Sequence, residues 1–426
     1  MACFFYLDFG RFASKKVPFV SCLSILLISM ITTGCWDRQE LEERAFATII
    51  GIDKGTSSGG PNTVRVTYNL AKPVMINESP KAERSSEIVT LETAYVYLSR
   101  DLINITVSRK LSLLHTKFLI VSEEYARQGN MISTIGSLIR DREFRRDIVI
   151  ITCKGTAEKF IKKNNPQMER LLYKQYELIL QTGKLTGNIP NVKLQEFLME
   201  TQSINGLAMT TLASLRRNKD FSKSPDTKNT LPGQFATRSE NPIQYLGSAV
   251  YKGQKMIGQL TGEESRIAMT LQGKKLRTFQ TGLNVPGYEN KVFVGTFTQQ
   301  TEPLIHIDMN EKPYKIHVKV QIEMDLNGIQ ADFDKIMSPK GIKSLQDAAN
   351  QKFERESELL VNKSQIKFKG DLFEFYKRAR LKCLTDEEWK SKEWSKNFPE
   401  AEITVNYDIH IRRTGRELMP TTGDTP

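Results

Sequence analysis

Residues 316–324 read Ile-His-Val-Lys-Val-Gln-Ile-Glu-Met, and residues 403–411 read Ile-Thr-Val-Asn-Tyr-Asp-Ile-His-Ile. Successive side chains of a strand point to opposite faces, so this strict alternation predicts two strands, each with one dry and one wet face. Between them Ile342, Leu345, Ala349, Phe353 and Leu360 recur at helical spacing, and Gly370-Asp371 punctuates the entry to a second helix over 372–381. Two such helices can cover the apolar face of an antiparallel sheet, so residues 242–415 read as an α+β block.

Upstream the pattern changes. The β-rich runs 46–52 and 64–70 flank the turn-forming stretch GTSSGGPN. Leu91, Ala94, Leu98 and Leu102 then mark a helical face. A strand at 117–121, a helix at 131–139, a strand at 148–153 and a helix at 156–163 follow, and strand–helix alternation implies crossovers and at least part of a parallel sheet. Further helices are expected at 168–181 and 192–201. Residues 35–210 thus form a first domain. Residues 211–241 are polar, with Pro and Gly, and read as a linker or exposed loop. The second block opens with a hairpin over 243–260 turning at Lys252–Lys255, then a helix capped by Thr261 with Glu264 three places on. Residues 416–426 are a flexible tail. The expected class is α+β with mixed α/β character: multidomain, mixed sheets with helices packed on them, and no membrane-spanning helix in the mature chain.

The 426 residues include 61 Lys+Arg and 49 Asp+Glu, a net charge of +12, with five cysteines. The length allows two or three domains, and the cysteine count excludes a disulfide scaffold. Beyond the first 35 residues no apolar run approaches the ~20 needed to cross a bilayer.

Arg11, Lys15 and Lys16 precede an uncharged apolar stretch at 17–31, and Thr32-Thr33-Gly34 leads into Cys35. A basic flank, a short apolar core and small residues are the layout of an export signal over residues 1–34. Thr-Thr-Gly-Cys resembles a bacterial lipobox, with Thr32 where Leu, Val or Ile is usual. Cleavage between Gly34 and Cys35 would leave Cys35 to carry S-diacylglycerol and N-palmitoyl groups. An ordinary cleaved signal, with Cys35 incidental, and an uncleaved anchor are the alternatives. Without residues 1–34 the net charge is +10. Cys3 and Cys22 leave with the signal, so Cys153 and Cys383 are the remaining thiols, and a bridge between them is open.

The search for chemistry finds little. The four histidines, His115, His306, His317 and His410, fall at no metal-ligand spacing, although His317 and His410 could face one another across a sheet. There is no P-loop or G-x-G-x-x-G. Ser265 lies in GEESR as a first-turn helix residue, and the adjacent acids Glu263-Glu264 and Asp386-Glu387-Glu388 point to different sides of a helix. Arg140–Arg145 nearly cancels its own charge and reads as a helix-end salt network. Residues 211–300 hold 13 Lys+Arg against six Asp+Glu, whereas residues 313–426 are almost balanced. For an exported chain an anionic membrane surface, not nucleic acid, is the partner of that excess. The reading is non-enzymatic, with no cofactor, metal or nucleic acid.

Several stretches share one familiar layout. GCWDRQELEERAFATIIGIDKG (34–55) resembles the amino terminus of the Ger(x)C family, the C subunits of spore germinant receptors. RKLSLLHTKFLIVSEE (109–124), the run at 140–145, GSAVYKGQKMIGQLTGEES (247–265), Gly370-Asp371-Leu372-Phe373 and NFPEAEITVNYDIHIRRTG (397–415) resemble later parts of that family. FEFYKRA, where the family is more often glycine-rich, is a departure. The resemblance implies a lipid-anchored, non-enzymatic subunit on the extracytoplasmic side of the spore inner membrane. Its partners would be two membrane subunits of A and B type, and its role nutrient-triggered germination. It also implies interaction roles for Gly247, Ser248, Glu264, Ser265, Gly370 and Asp371. The alternative is an extracytoplasmic solute-binding lipoprotein that captures a small nutrient.

Overall fold

The structure, a computed structural model, describes residues 21–25, 40–56, 63–71, 86–169, 171–217, 230–288, 293–328 and 338–413. Gly34 and Cys35, most of the signal, residues 218–229 of the expected linker and the expected tail lie outside the described residues. Residues 45–426 form one compact unit and residues 1–44 another. Among the described residues no helix is long and apolar enough to cross a membrane.

The body is organised around β1 (Arg44–Lys54), whose residues from Ala47 to Asp53 are all buried. It pairs antiparallel with β2 (Val64–Ala71), which pairs with β3 (Ser86–Thr93). On its other side β5 (Phe118–Ser122), β6 (Val149–Lys154) and β7 (Ala208–Leu215) follow in parallel, and the short β4 (Lys110–Ser112) also pairs with β1. Strands buried on both faces need near-continuous apolar sequence, and FLIVS and VIITC supply it. One face packs on α1 (Ser99–Thr106), α2 (Glu123–Gln128) and α3 (Met131–Ile139), the other on α4 (Ala157–Lys163) and α5 (Leu172–Thr186). Helix α6 (Leu194–Gln202) returns to the first face.

Gly51 explains how closely α4 approaches. A Cβ there would lie 2.7 Å from Ile161 Cδ1 and 3.1 Å from the Ala157 methyl. Two residues on, buried Asp53 accepts from the backbone N–H of Ala157 (2.7 Å) and Glu158 (2.9 Å), so it satisfies the first turn of α4 from a neighbouring strand.

The hairpin β8 (Ile243–Lys252) and β9 (Lys255–Leu260) turns where expected, with Lys252 opposite Lys255. It does not join the last strands. β8 pairs with β7 and completes a nine-stranded sheet. After it, α7 (Gly262–Leu271) begins with the expected Thr261/Glu264 capping box. A second sheet holds β10 (Thr278–Leu283), β11 (Phe293–Gln299), β12 (Leu304–Asp308), β13 (Lys315–Gly328) and β14 (Glu402–Arg413). The helices α8 (Pro339–Asn362) and α9 (Phe375–Arg380) lie between β13 and β14. Phe279, Phe297, Phe353 and Tyr407 form an aromatic centre between this sheet and α8. The result is mixed α and β, as the alternation predicts.

Several expectations fail locally. β13 and β14 pair parallel, not antiparallel, because the helical stretch between them carries the chain back to the same end. His410 stands opposite Glu323, and His317 opposite Thr404 and His306, so His317 and His410 do not face each other. Leu91 lies on β3. The buried face of α1 is Ser99 and Ile103, one place off the expected one, because Ser99 Oγ hydrogen-bonds Tyr68 Oη at 2.6 Å inside the core. Met168 is exposed ahead of α5, and the second carboxy-terminal helix starts at Phe375, not residue 372. Arg100 on α1 pairs with Asp141 and Glu143, so the 140–145 run is a salt network as read.

Cys153 and Cys383 are buried, unpaired thiols in different cores. Burial, its largest cause, raises the Cys153 pKa well above the ordinary value. We expect a thiol reagent to leave both unmodified until denaturant is added, and reductant to leave the melting temperature unchanged. A fall in melting temperature on reduction would refute this.

Candidate functional site

The six body residues singled out from the sequence fall into two neighbouring knots joined by consecutive residues, Lys363 and Ser364. In the first, Ser248 on β8 and Ser265 on α7 are fully buried with their hydroxyls 2.7 Å apart, and Ser265 donates to the Thr261 carbonyl at 2.8 Å. Gly247 has φ +77, and a Cβ there would lie 2.0 Å from the Leu260 carbonyl oxygen. Glu264 accepts from the Thr261 N–H and pairs with Lys363 Nζ at 2.7 Å, and Lys363 also donates to the Gln259 carbonyl. β8, β9, α7 and the residue after α8 are thereby pinned together.

In the second knot Ser364 Oγ donates to the Gly370 carbonyl at 2.7 Å and accepts from the Leu372 N–H. Asp371 is completely buried. Its carboxylate accepts from the N–H groups of Phe373 (2.9 Å) and Tyr376 (2.8 Å) and from Trp394 Nε1 (3.2 Å). These bonds explain the late start of α9, because the side chain rather than a helical carbonyl takes the Phe373 N–H. The Asp371 carbonyl accepts from the Leu207 N–H, just ahead of β7, at 2.9 Å. Beside it, Tyr376 Oη donates to Glu200 on α6 at 2.9 Å, and Lys377 pairs with both Glu200 and Glu374. Burial pushes the Asp371 carboxyl up to about 7, while its N–H donors pull the other way.

Such an arrangement holds elements together and offers no reactive group to solvent. Ser248 and Ser265 bond each other without a base, and no described cluster of three His, Cys, Asp or Glu side chains could hold a metal. Sequence reading missed Ser364, Tyr376, Trp394 and Glu200. An Asp followed by residues whose N–H groups it can take is an Asx-turn pattern, and that was the available signal for the knot.

Two family models match the chain: "Spore germination protein N-terminal domain" over residues 37–214 and "Spore germination B3/GerAC like, C-terminal" over 246–415. The chain belongs to this GerAC-like family of spore germination proteins. Among Bacillus subtilis relatives, spore germination protein KC is 26% identical over 93% of this chain and 96% of its own length. Spore germination protein B3 is 20% identical over 93% and 97%. A crystal structure of the GerBC protein aligns with 88% of this chain and 99% of its own, with a TM-score of 0.49 and 17% identity.

Three outcomes follow from the geometry. Gly247→Ala should destabilise the body by at least about 2 kcal/mol, because a left-handed residue with a Cβ is strained and this Cβ meets a backbone oxygen; equilibrium denaturation measures it. Asp371→Ala should cost about 2–3 kcal/mol, since it leaves the buried N–H groups of Phe373, Tyr376 and Trp394 without their acceptor. The folded Asp371 carboxyl titrates above its unfolded value of 3.8, so its contribution to stability is present below that value and is lost as pH rises toward about 7. The wild-type melting temperature should fall more steeply between those limits than that of Asp371→Asn; parallel profiles would contradict the assignment.

Proposed function

We propose that this chain is a non-enzymatic, lipid-anchored subunit of a nutrient germinant receptor, held on the extracytoplasmic side of the spore inner membrane by Cys35 and docked on two membrane subunits. The observation that carries this reading is family membership across both halves of the body, together with motif residues that are buried or half-buried and mutually bonded. Motif residues that are closed to solvent and bonded to one another serve a shape, and a protein that works by shape works through contacts. The division into domains at 35–210 and 242–415 belongs to the same proposal, with β7 running on to Leu215 and the β8–β9 hairpin of the second domain pairing onto the sheet of the first. A bilayer-inserted acyl chain gains ~0.8 kcal/mol per methylene, so the two or three chains of a lipoprotein hold firmly. The tether then keeps the body near its partners, where weak contacts suffice.

Cys35→Ala is the test. The variant should leave the membrane fraction on cell fractionation, and spores carrying it should respond to nutrients as poorly as a deletion strain. Full membrane retention with full germination would overturn the anchor. A cleft of about 540 Å³ favours the solute-binding reading as the second, because Gln175, Asn188, Gln244, Glu263 and the buried Arg266 line it. A nutrient that binds there would raise the melting temperature of the isolated body.

A further inference from the structure

The strands β1, β5, β6 and β7 are parallel, so all four start at one end of the large sheet. That end is where β1 begins. Phe46, at the start of β1, packs edge-on against the exposed His115 at 4.4 Å, and the Lys117 N–H donates to the Thr48 carbonyl. Val149, the first residue of β6, bridges Lys193. The last turn of α5 reaches the same region with Lys184, and the Leu185 carbonyl accepts from the Arg277 N–H at 3.1 Å.

Charge gathers here. Lys117, Lys184, Lys193, Lys274, Lys275 and Arg277 are exposed, and none forms an ion pair with a described carboxylate. Lys184, Lys274 and Lys275 stand around a cleft of about 480 Å³ with Phe197, Met209, Met269 and Leu276 among its apolar lining. Two acids in the cleft, Glu200 and Glu374, are both held by Lys377, which leaves Glu196 as the uncompensated one. Leu185 and Met199 are 42% and 58% exposed beside the lysines. Cations around an apolar recess match a surface with phosphates outside and hydrocarbon beneath.

We propose that this end of the sheet docks on an anionic phospholipid bilayer, with Lys184, Lys274 and Lys275 engaging headgroup phosphates and Leu185 and Met199 entering the headgroup layer. The inference rests on the membrane-proximal reading above. It orients the body with the entry of β1 toward the bilayer and accounts for part of the basic excess in residues 211–300. The remaining bases of that stretch either lie elsewhere on the body, as Lys252 and Lys255 do on the β8–β9 hairpin, or fall outside the described residues.

The test uses residues 45–426, a compact unit that lacks Cys35, so its outcome does not depend on acylation. Co-sedimentation with phosphatidylglycerol vesicles at low salt should exceed that with phosphatidylcholine vesicles at least about tenfold and vanish near ~0.5 M salt. Each base close to an anionic surface changes partitioning about fivefold, so the triple variant Lys184→Gln/Lys274→Gln/Lys275→Gln should partition about a hundredfold less. The control Lys340→Gln/Lys343→Gln/Lys390→Gln, three exposed lysines that do not line this cleft, should be unaffected. All these side chains are exposed, and unchanged melting temperatures would verify folding. Equal sedimentation with both lipids, or no loss in the first triple variant relative to the control, would overturn the proposal. The Cys35→Ala fractionation separately decides the anchor.

Discussion

Asp371 is a carboxylate with no contact to solvent, and the way its hydrogen bonds are filled sets how the two halves of the body are joined. Its side chain organises residues 371–376 and the Trp394 ring, while its own carbonyl takes the Leu207 N–H at the entry to β7. A buried polar group is tolerated only when its hydrogen bonds are made. Here the donors come from the carboxy-terminal block, and the main-chain bond reaches the amino-terminal one. Tyr376, Lys377 and Glu200 repeat the link a few ångströms away through side chains. The join is therefore polar and directional, unlike a greasy contact that could slide.

The second link is the hairpin. β8 belongs by sequence to the carboxy-terminal family model yet pairs with β7 of the large sheet. Gly247, with its positive φ, lies on that strand, and Ser248, Thr261, Glu264 and Lys363 carry the connection on to α7 and the end of α8. Two strand-to-helix joins, each with a consecutive member in Lys363-Ser364, make the body a single mechanical piece. In the proposed docking, such stiffness would set which bases face the bilayer.

Much of the architecture was legible because it depends on local pattern. FLIVS and VIITC announce buried parallel strands, the 316–324 and 403–411 alternations announce half-buried ones, and Thr261 with Glu264 announces a helix start. The strands at 278–283, 293–299 and 304–308 were not read, since Thr, Gln and Gly interrupt the apolar positions of the first two and the third is only five residues long; pairing holds them, β10 on β11 and both β11 and β12 on β13. The helical face counted from Leu91 failed because it crossed from a strand into a helix, where the period changes.

The candidate site divides in the same way. Sequence alone recorded a basic flank and an apolar stretch ahead of Cys35, the periodicities of strands and helices, and the lack of a P-loop or a G-x-G-x-x-G. Those properties are written in neighbouring residues. Only the tertiary structure decided that Ser248 meets Ser265, that Asp371 gathers Tyr376 and Trp394, and that Lys184 stands beside Lys274 and Lys275. Apart from Asp371 and Tyr376, five residues apart and within reach of an Asx-turn pattern, those partners are separated by 17 to 91 residues, and hydrogen bonds and fields act through space, so no local pattern records them.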